Sequence, residues 1–284
     1  MKPYRPILQN KKAHSMLILK LTLVPFIIGI ITIIGRHWGA KIAGLLSGFP
    51  VIAGPITYFL YMEQGTTFTH AATTATVGAV TALSSYCFVY AWLTQRFDWR
   101  LSTLGAFGFY FLLAVILIQL NLSLSFYFLI SLIVVIAQIY WSPKHQESVN
   151  LAPASNAEVA IRMLCAAILV MLVTYFAKVL GSQYSGVFAG FPIAATVIAV
   201  FSHRNNSKYH AMDALRSLKF GLISFLCFFY SLSYFMHLIS FNQAFAVSIA
   251  IAITSQLAIW FFKRILATST WHKLSTSNTR QSHS

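Results

Sequence analysis

The sequence predicts an all-α polytopic membrane protein. Of its 284 residues, 58% are hydrophobic and only 9% are charged, and the hydrophobic residues come in runs of membrane length. A soluble domain carries about 25% charged residues, so this chain could not cover a water-facing surface. The composition therefore excludes a cytosolic enzyme, a nucleic-acid-binding domain and a disordered protein.

Nine apolar segments account for most of the chain. Each is long enough to cross a hydrocarbon core of roughly 30 Å, although the seventh is near the lower limit. Because backbone groups in lipid must be hydrogen-bonded internally, we expect every segment to be a helix. In chain order the segments are 16–35, 41–62, 70–94, 101–119, 124–141, 159–180, 185–202, 214–239 and 242–262.

Polar stretches divide these segments into two similar parts. A basic N-terminal tail over 1–15 and a polar C-terminal tail over 265–284 flank the chain, and a linker with two prolines covers 142–158. The linker separates a first membrane repeat with a linking helix, 16–141, from a second membrane repeat, 159–264. Two parts of similar length predict an internal duplication.

A short motif occurs in both parts. SGFP ends at Pro50 and AGFP ends at Pro192, an offset of 142 residues. The same offset aligns further pairs: Gly39 with Gly181, Gly44 with Gly186, Phe59 with Phe201 and Lys20 with Arg162. Because five helices separate equivalent points, the two repeats are predicted to be inverted in the membrane, which is typical of secondary transporters.

Basic residues dominate the charge, with 20 Lys and Arg against 5 Asp and Glu. They concentrate in the loops after the odd-numbered segments and in the C-terminal tail, which predicts a cytoplasmic C-terminus. We interpret the excess of basic residues as a determinant of membrane topology and as a source of contacts with anionic lipid headgroups. Four basic residues in the N-terminal tail oppose its export, so the orientation of the N-terminus stays open.

The second and seventh segments are predicted to be broken helices. Proline removes a backbone donor and kinks a helix, and glycine lets the backbone unwind. Paired breaks in inverted repeats predict a substrate site near the membrane midplane. Its candidate residues are Gly48, Phe49, Pro50, Gly54, Pro55, Thr57, Gly190, Phe191, Pro192 and Thr196. The alternative is that the Gly-x-x-x-Gly pairs only allow tight helix contact.

Three ionisable residues are further candidates. Glu63 ends the second segment and is predicted to couple protons, unless it is simply solvated at the interface. Lys20 and Arg162 lie slightly inside their helices. They either extend to the interface or pair with an anionic substrate group or with Glu63.

Motifs of catalysis are missing from the sequence. There is no P-loop, no serine elbow and no metal-ligand spacing, and Cys87, Cys165 and Cys227 are interpreted as packing residues. We therefore expect no enzyme activity, no catalytic residues, no metal and no cofactor. The expected partners are membrane lipids and a small solute, with proton or sodium coupling. The oligomeric state stays open.

The two GFP segments carry a resemblance. They resemble a mostly uncharacterised family of small bacterial inner-membrane proteins, and the overall layout is similar to five-helix inverted-repeat secondary transporters. The resemblance implies residence in the bacterial inner membrane. It implies no substrate, and this chain has one helix fewer than a full five-plus-five pattern.

Three functions are consistent with the sequence. The first is a permease for a small solute that binds at the two GFP breaks. The second is a flippase for a phosphorylated lipid carrier, with the phosphate held by Lys20, Arg162 and basic loops. The third is a non-transporting assembly or regulatory protein, for which a sealed interior is expected, with no cavity that reaches Gly48 or Gly190.

Overall fold

The computed structural model describes residues 5–143, 155–180 and 190–281. Within these ranges the chain is helical and contains no β-strand. Five helices there are long and apolar enough to cross a membrane, which indicates an integral membrane protein. These candidate spans are Gln64–Leu93, Trp99–Leu120, Leu124–Trp141, Lys208–Phe235 and Phe241–Phe261.

Nine α-helices make up the described chain, joined in one place by a π-helix over Ser202–Asn206. The helices are α1 (Arg5–Trp38), α2 (Ala40–Ser47), α3 (Ala53–Leu93), α4 (Trp99–Leu120), α5 (Leu124–Trp141), α6 (Asn156–Leu180), α7 (Ile193–Phe201), α8 (Lys208–Phe235) and α9 (Phe241–Gln281). Helix α1 therefore includes most of the predicted N-terminal tail, and α9 continues into the predicted C-terminal tail.

The second and third predicted segments form one interrupted helix. Helix α2 ends at Ser47, four residues of turn follow Gly48, and α3 then runs from Ala53 to Leu93. Gly65 kinks α3 with a φ of 76° and a ψ of −177°. A side chain disfavours this backbone conformation, so glycine allows the bend here. A kink thus replaces the loop predicted between 62 and 70.

The predicted seventh segment, 185–202, is described only from Gly190 onward. Its helical part in that range is α7, of nine residues, and the π-helix follows directly. The residues 181–189, with Gly181 and Gly186, lie outside the described part of the chain.

Helix α8 lies at the centre of the fold. It packs against α2, α3, α5 and α9, and it buries Leu215, Leu222, Leu226 and Leu232 almost completely. The outer helices instead expose large apolar side chains: Leu104 of α4, Ile133 of α5 and Leu257 of α9. Exposed apolar faces of this extent are what contact with lipid requires.

Helices α1 and α6 pack against each other beside this core. Val24 and Ile28 of α1 form a buried cluster with Ala166 and Val170 of α6. Phe201, at the end of α7, completes the cluster and connects it to the second GFP segment.

Candidate functional site

A cavity of about 310 Å³ lies between the two GFP segments. Phe49 lines it from the break after α2, and Gly190, Phe191 and Pro192 line it from the break before α7. The cavity is thus lined by two segments that are far apart in the sequence. Its volume is at the lower end of ordinary small-molecule pockets.

Most of the other candidate residues do not line the cavity. Thr57 lines it, whereas Gly48, Pro50, Gly54, Pro55 and Thr196 are not among its lining residues. Thr196 is buried and donates its hydroxyl to the Pro192 carbonyl at 2.7 Å.

The backbone takes the same form at both breaks. The Val51 amide donates to the Phe49 carbonyl at 2.8 Å, and the Ile193 amide donates to the Phe191 carbonyl at 2.8 Å. Each bond closes a three-residue turn around a proline, and Pro192 has the φ of −76° and ψ of 51° of an inverse γ-turn.

The carbonyl of each proline then starts the next helix. The Gly54 amide donates to the Pro50 carbonyl at 2.9 Å, and the Thr196 amide donates to the Pro192 carbonyl at 2.8 Å. Each Phe-Pro pair therefore precedes the helix that its proline carbonyl begins, and its phenylalanine lines the cavity.

The glycines of the first break allow close helix contact. A Cβ added to Gly44 would lie 2.2 Å from the Ala214 carbonyl oxygen of α8, and one added to Gly48 would lie 2.2 Å from that of Leu218. The packing interpretation of Gly44-x-x-x-Gly48 is therefore realised at this helix pair. Gly190 makes an equivalent approach to α3, where an added Cβ would lie 2.5 Å from Ala79 Cβ.

Four residues with hydroxyl groups line the cavity. Each donates its proton to a carbonyl of its own helix or the preceding turn, at 2.7–2.9 Å. The residues are Ser47, Thr57, Thr73 and Thr76. Thr73 and Thr76 were not predicted, because they belong to the third predicted segment, whereas the candidate site was assigned to the second and seventh segments. Their spacing of three on α3 is a helical signal that could have identified them.

Phenylalanine supplies much of the remaining wall. Phe191 stacks on Phe107 of α4 with ring centroids 5.3 Å apart, and its edge contacts Tyr110 at 5.8 Å between centroids. These contacts fix the orientation of the Phe191 ring. The other phenylalanines on the wall are Phe49, Phe68, Phe225 and Phe229. None of the described lining residues is ionisable.

Arg162, the charged candidate whose side chain the structure describes, is not among the residues that line the cavity. Arg162 is buried, and its Nε and Nη2 donate to Glu158 Oε1 at 3.1 and 2.5 Å, while its guanidinium lies over the Phe201 ring. Its partner is thus a carboxylate of α6 itself. The side chains of Lys20 and Glu63 lie outside the described residues, so their predicted roles stay predictions.

A buried lysine is the main polar feature that sequence reasoning missed. Lys219 of α8 is 0% exposed, and its Nζ donates to the Gln138 carbonyl at 3.3 Å and to Ser142 Oγ. It also lies 5.3 Å from the centroid of the Phe88 ring. An ionisable residue inside an apolar segment is itself the signal that could have found it.

The lysine belongs to a network that joins three helices. Gln138 of α5 accepts from Ser84 at 2.5 Å and donates to Ser85 at 2.8 Å, both on α3. Ser142 donates to the Gln138 carbonyl at 2.6 Å. Lys219 therefore caps the C-terminal end of α5, where a positive charge is favoured by the helix dipole.

His203 lies in the π-helix, outside the candidate spans. Its Nδ1 is 2.7 Å from Thr94 Oγ1 and 3.4 Å from the Tyr90 hydroxyl. Burial lowers the pKa of His203, and Lys208 lowers it further, while Asp98 acts in the opposite direction. The neutral imidazole is therefore favoured in the folded protein.

Comparison with known proteins adds no likeness to this geometry. No protein-family model, curated protein or solved structure matches the chain. The functional argument accordingly depends on the cavity, the two breaks and the contacts around them.

Proposed function

We propose that this protein is a secondary transporter of a small solute, which binds in the cavity between the two GFP segments. The cavity carries the proposal, because it is bounded by both breaks and is lined by Phe49 and Phe191. A non-transporting protein was expected to have a sealed interior, with no cavity that reaches Gly48 or Gly190, and this cavity is lined by Gly190 but not by Gly48. The lining at Gly190 therefore favours transport over the assembly or regulatory alternative.

Contacts related by one sequence offset support an internal duplication, and with it the proposal. The contact between Gly48 and Gly221 and the contact between Gly190 and Ala79 are related by the sequence offset of 142 residues. The turn bonds at the two Phe-Pro pairs obey the same offset. So do Gly65, which kinks α3, and Ser207, whose extended backbone precedes α8.

These correspondences extend to the cavity wall. The same offset pairs lining residues with one another: Phe49 with Phe191, Ile52 with Ala194, Ala53 with Ala195, Thr76 with Leu218 and Leu83 with Phe225. We propose two inverted repeats with nine crossings, and a pseudo-twofold axis near the buried cluster that contains Val24 and Ala166. Such an axis places one site between the halves, which is where inverted-repeat transporters bind their substrates.

The proposed setting is the bacterial inner membrane, with the C-terminus in the cytoplasm and lipids as partners. The basic loops and the resemblance of the GFP segments support it. Coupling to protons or sodium follows from the transporter class, and Glu63 is its proposed site. A flippase for a phosphorylated carrier is less supported, because Arg162 already pairs with Glu158 and no described lining residue is basic.

Two-sided accessibility tests the proposal without knowledge of the substrate. In a variant with Cys87, Cys165 and Cys227 replaced by alanine, Ala194→Cys places one thiol on the cavity wall. A small membrane-impermeant methanethiosulfonate should modify it in both right-side-out and inside-out vesicles, because alternating access opens the site to each side in turn.

A matched control defines the background of this experiment. Ser131→Cys lies between α3 and α5, is 0% exposed and does not line the cavity, so it should not react from either side. Modification of Ala194→Cys from one side only, or from neither, contradicts transport.

A further inference from the structure

The hydroxyl groups of the cavity-lining residues all act as hydrogen-bond donors to backbone carbonyls. Ser47 donates to the Ala43 carbonyl, Thr57 donates to the Ala53 carbonyl, and Thr76 donates to that of Ala72. A hydroxyl has one proton and two lone pairs, so each of these oxygens, with its proton already donated, can only accept a further hydrogen bond. A ligand can therefore satisfy them by donating hydrogen bonds.

The rest of the wall disfavours a charge on that ligand. The lining residues that the structure describes include no Lys, Arg, His, Asp or Glu. Burial of an unpaired ion in apolar surroundings is costly. An anion would in addition face oxygen lone pairs, and it would find no cationic partner on these walls.

The apolar wall matches a compact hydrophobic body. Five phenylalanine residues and several aliphatic ones line the cavity together with the four hydroxyl-bearing residues. Apolar surface of this kind gains free energy by removing a ligand's own apolar surface from water.

We propose that the cavity selects an uncharged, largely apolar small molecule that carries a hydrogen-bond donor, such as a hydroxyl group. The inference rests on the proposed transport function and names its substrate class. The donor is held by the hydroxyl oxygens of the wall, and the apolar body lies among the phenylalanine rings.

Four probes of similar shape separate the parts of this inference. 4-Propylphenol has the donor, 4-propylanisole lacks it, 4-propylbenzoate is an anion, and 4-propylbenzylamine is a cation at neutral pH. The readout is protection of Ala194→Cys from the methanethiosulfonate, which reports occupancy of this cavity and not partition into lipid.

The phenol should protect at concentrations about three- to tenfold lower than the anisole, as expected for one net hydrogen bond. The benzoate and the benzylamine should not protect. Equal protection by phenol and anisole, or stronger protection by either ion, overturns the inference.

A variant pair tests whether the hydroxyls cause the preference. Thr57→Val with Thr76→Val removes two acceptors at nearly constant shape, and the preference for phenol over anisole should disappear. Thr81→Val is the matched control, because its hydroxyl bonds Ser131 away from the cavity, and this variant should keep the preference. Retention of the preference in the double variant overturns the inference.

The two proposals fail in different ways. Two-sided modification of Ala194→Cys without protection by any of the four probes overturns the substrate class and leaves transport supported. One-sided modification contradicts transport whichever probe protects.

Discussion

Gly48 and Gly221 bring α8 and the end of α2 together backbone against backbone. A Cβ on Gly48 would lie 2.8 Å from Gly221 Cα, and one on Gly221 would lie 2.3 Å from the Leu45 carbonyl oxygen. Between helices in lipid, close van der Waals packing replaces the hydrophobic effect as the driving force. This contact therefore anchors the first break to the central helix.

Alanine at either glycine should destabilise the protein. The atoms in the way are backbone atoms, which cannot rotate aside, so we expect Gly48→Ala and Gly221→Ala to cost about 1–3 kcal/mol. Thermal unfolding of the purified protein in detergent measures the loss. Gly108→Ala is the control, since an added Cβ there meets nothing within 4 Å, and its stability should be unchanged or raised by up to about 1 kcal/mol.

The second break allows a rescue experiment. Gly190→Ala should be destabilising, because the new Cβ would lie 2.5 Å from Ala79 Cβ. Ala79→Gly removes that atom and costs about 0.5–1 kcal/mol as glycine within a helix. The double variant should therefore be more stable than Gly190→Ala alone, as judged by thermal unfolding. Absence of rescue would place the critical contact of Gly190 elsewhere.

The sequence predicts the helical membrane class and the shared position of Phe49 and Phe191, because apolar run length and paired proline breaks are local signals. It does not predict that the second and third segments form one interrupted helix. In the sequence, Gly65 is compatible with a loop or with a kinked helix, and only the packing of the helices decides between them.

The hydrogen-bond partners of the ionisable residues could also not be predicted from the sequence. Arg162 pairs with Glu158 one turn away, a partner that was not among the alternatives derived from the sequence. The hydrogen-bond network of Lys219 joins residues of three helices. The two acceptors of Lys219, the Gln138 carbonyl and Ser142, depend on where the C-terminal end of α5 lies relative to α8. Such contacts follow from tertiary packing, which a single sequence does not specify.

Substitution of Ser142 should lower the free energy of unfolding, whereas substitution of Lys219 should not. Lys219→Met leaves Ser142 still bonded to the Gln138 carbonyl and removes a buried charge, so stability should be unchanged or raised. Ser142→Ala instead removes an acceptor from the buried ammonium and should cost about 1–3 kcal/mol. Both are measured by thermal unfolding.

A double-mutant cycle completes this test. In the Lys219→Met background, Ser142→Ala should cost clearly less than it does in the wild type, because no ammonium then depends on the hydroxyl. Equal costs in the two backgrounds would show that the hydroxyl does not support Lys219.

His203 should make the protein less stable in acid. Its pKa is lowered in the folded state, so the unfolded chain binds more protons as the pH falls below the ordinary histidine pKa of about 6.5. The stability held above that pH is lost as the pH falls through the folded-state pKa. His203→Gln should reduce the fall in melting temperature between pH 7.5 and pH 5.5. Asn205→Ala, an exposed change in the same π-helix, should keep the wild-type fall, and an equal effect of both would exclude His203 as the cause.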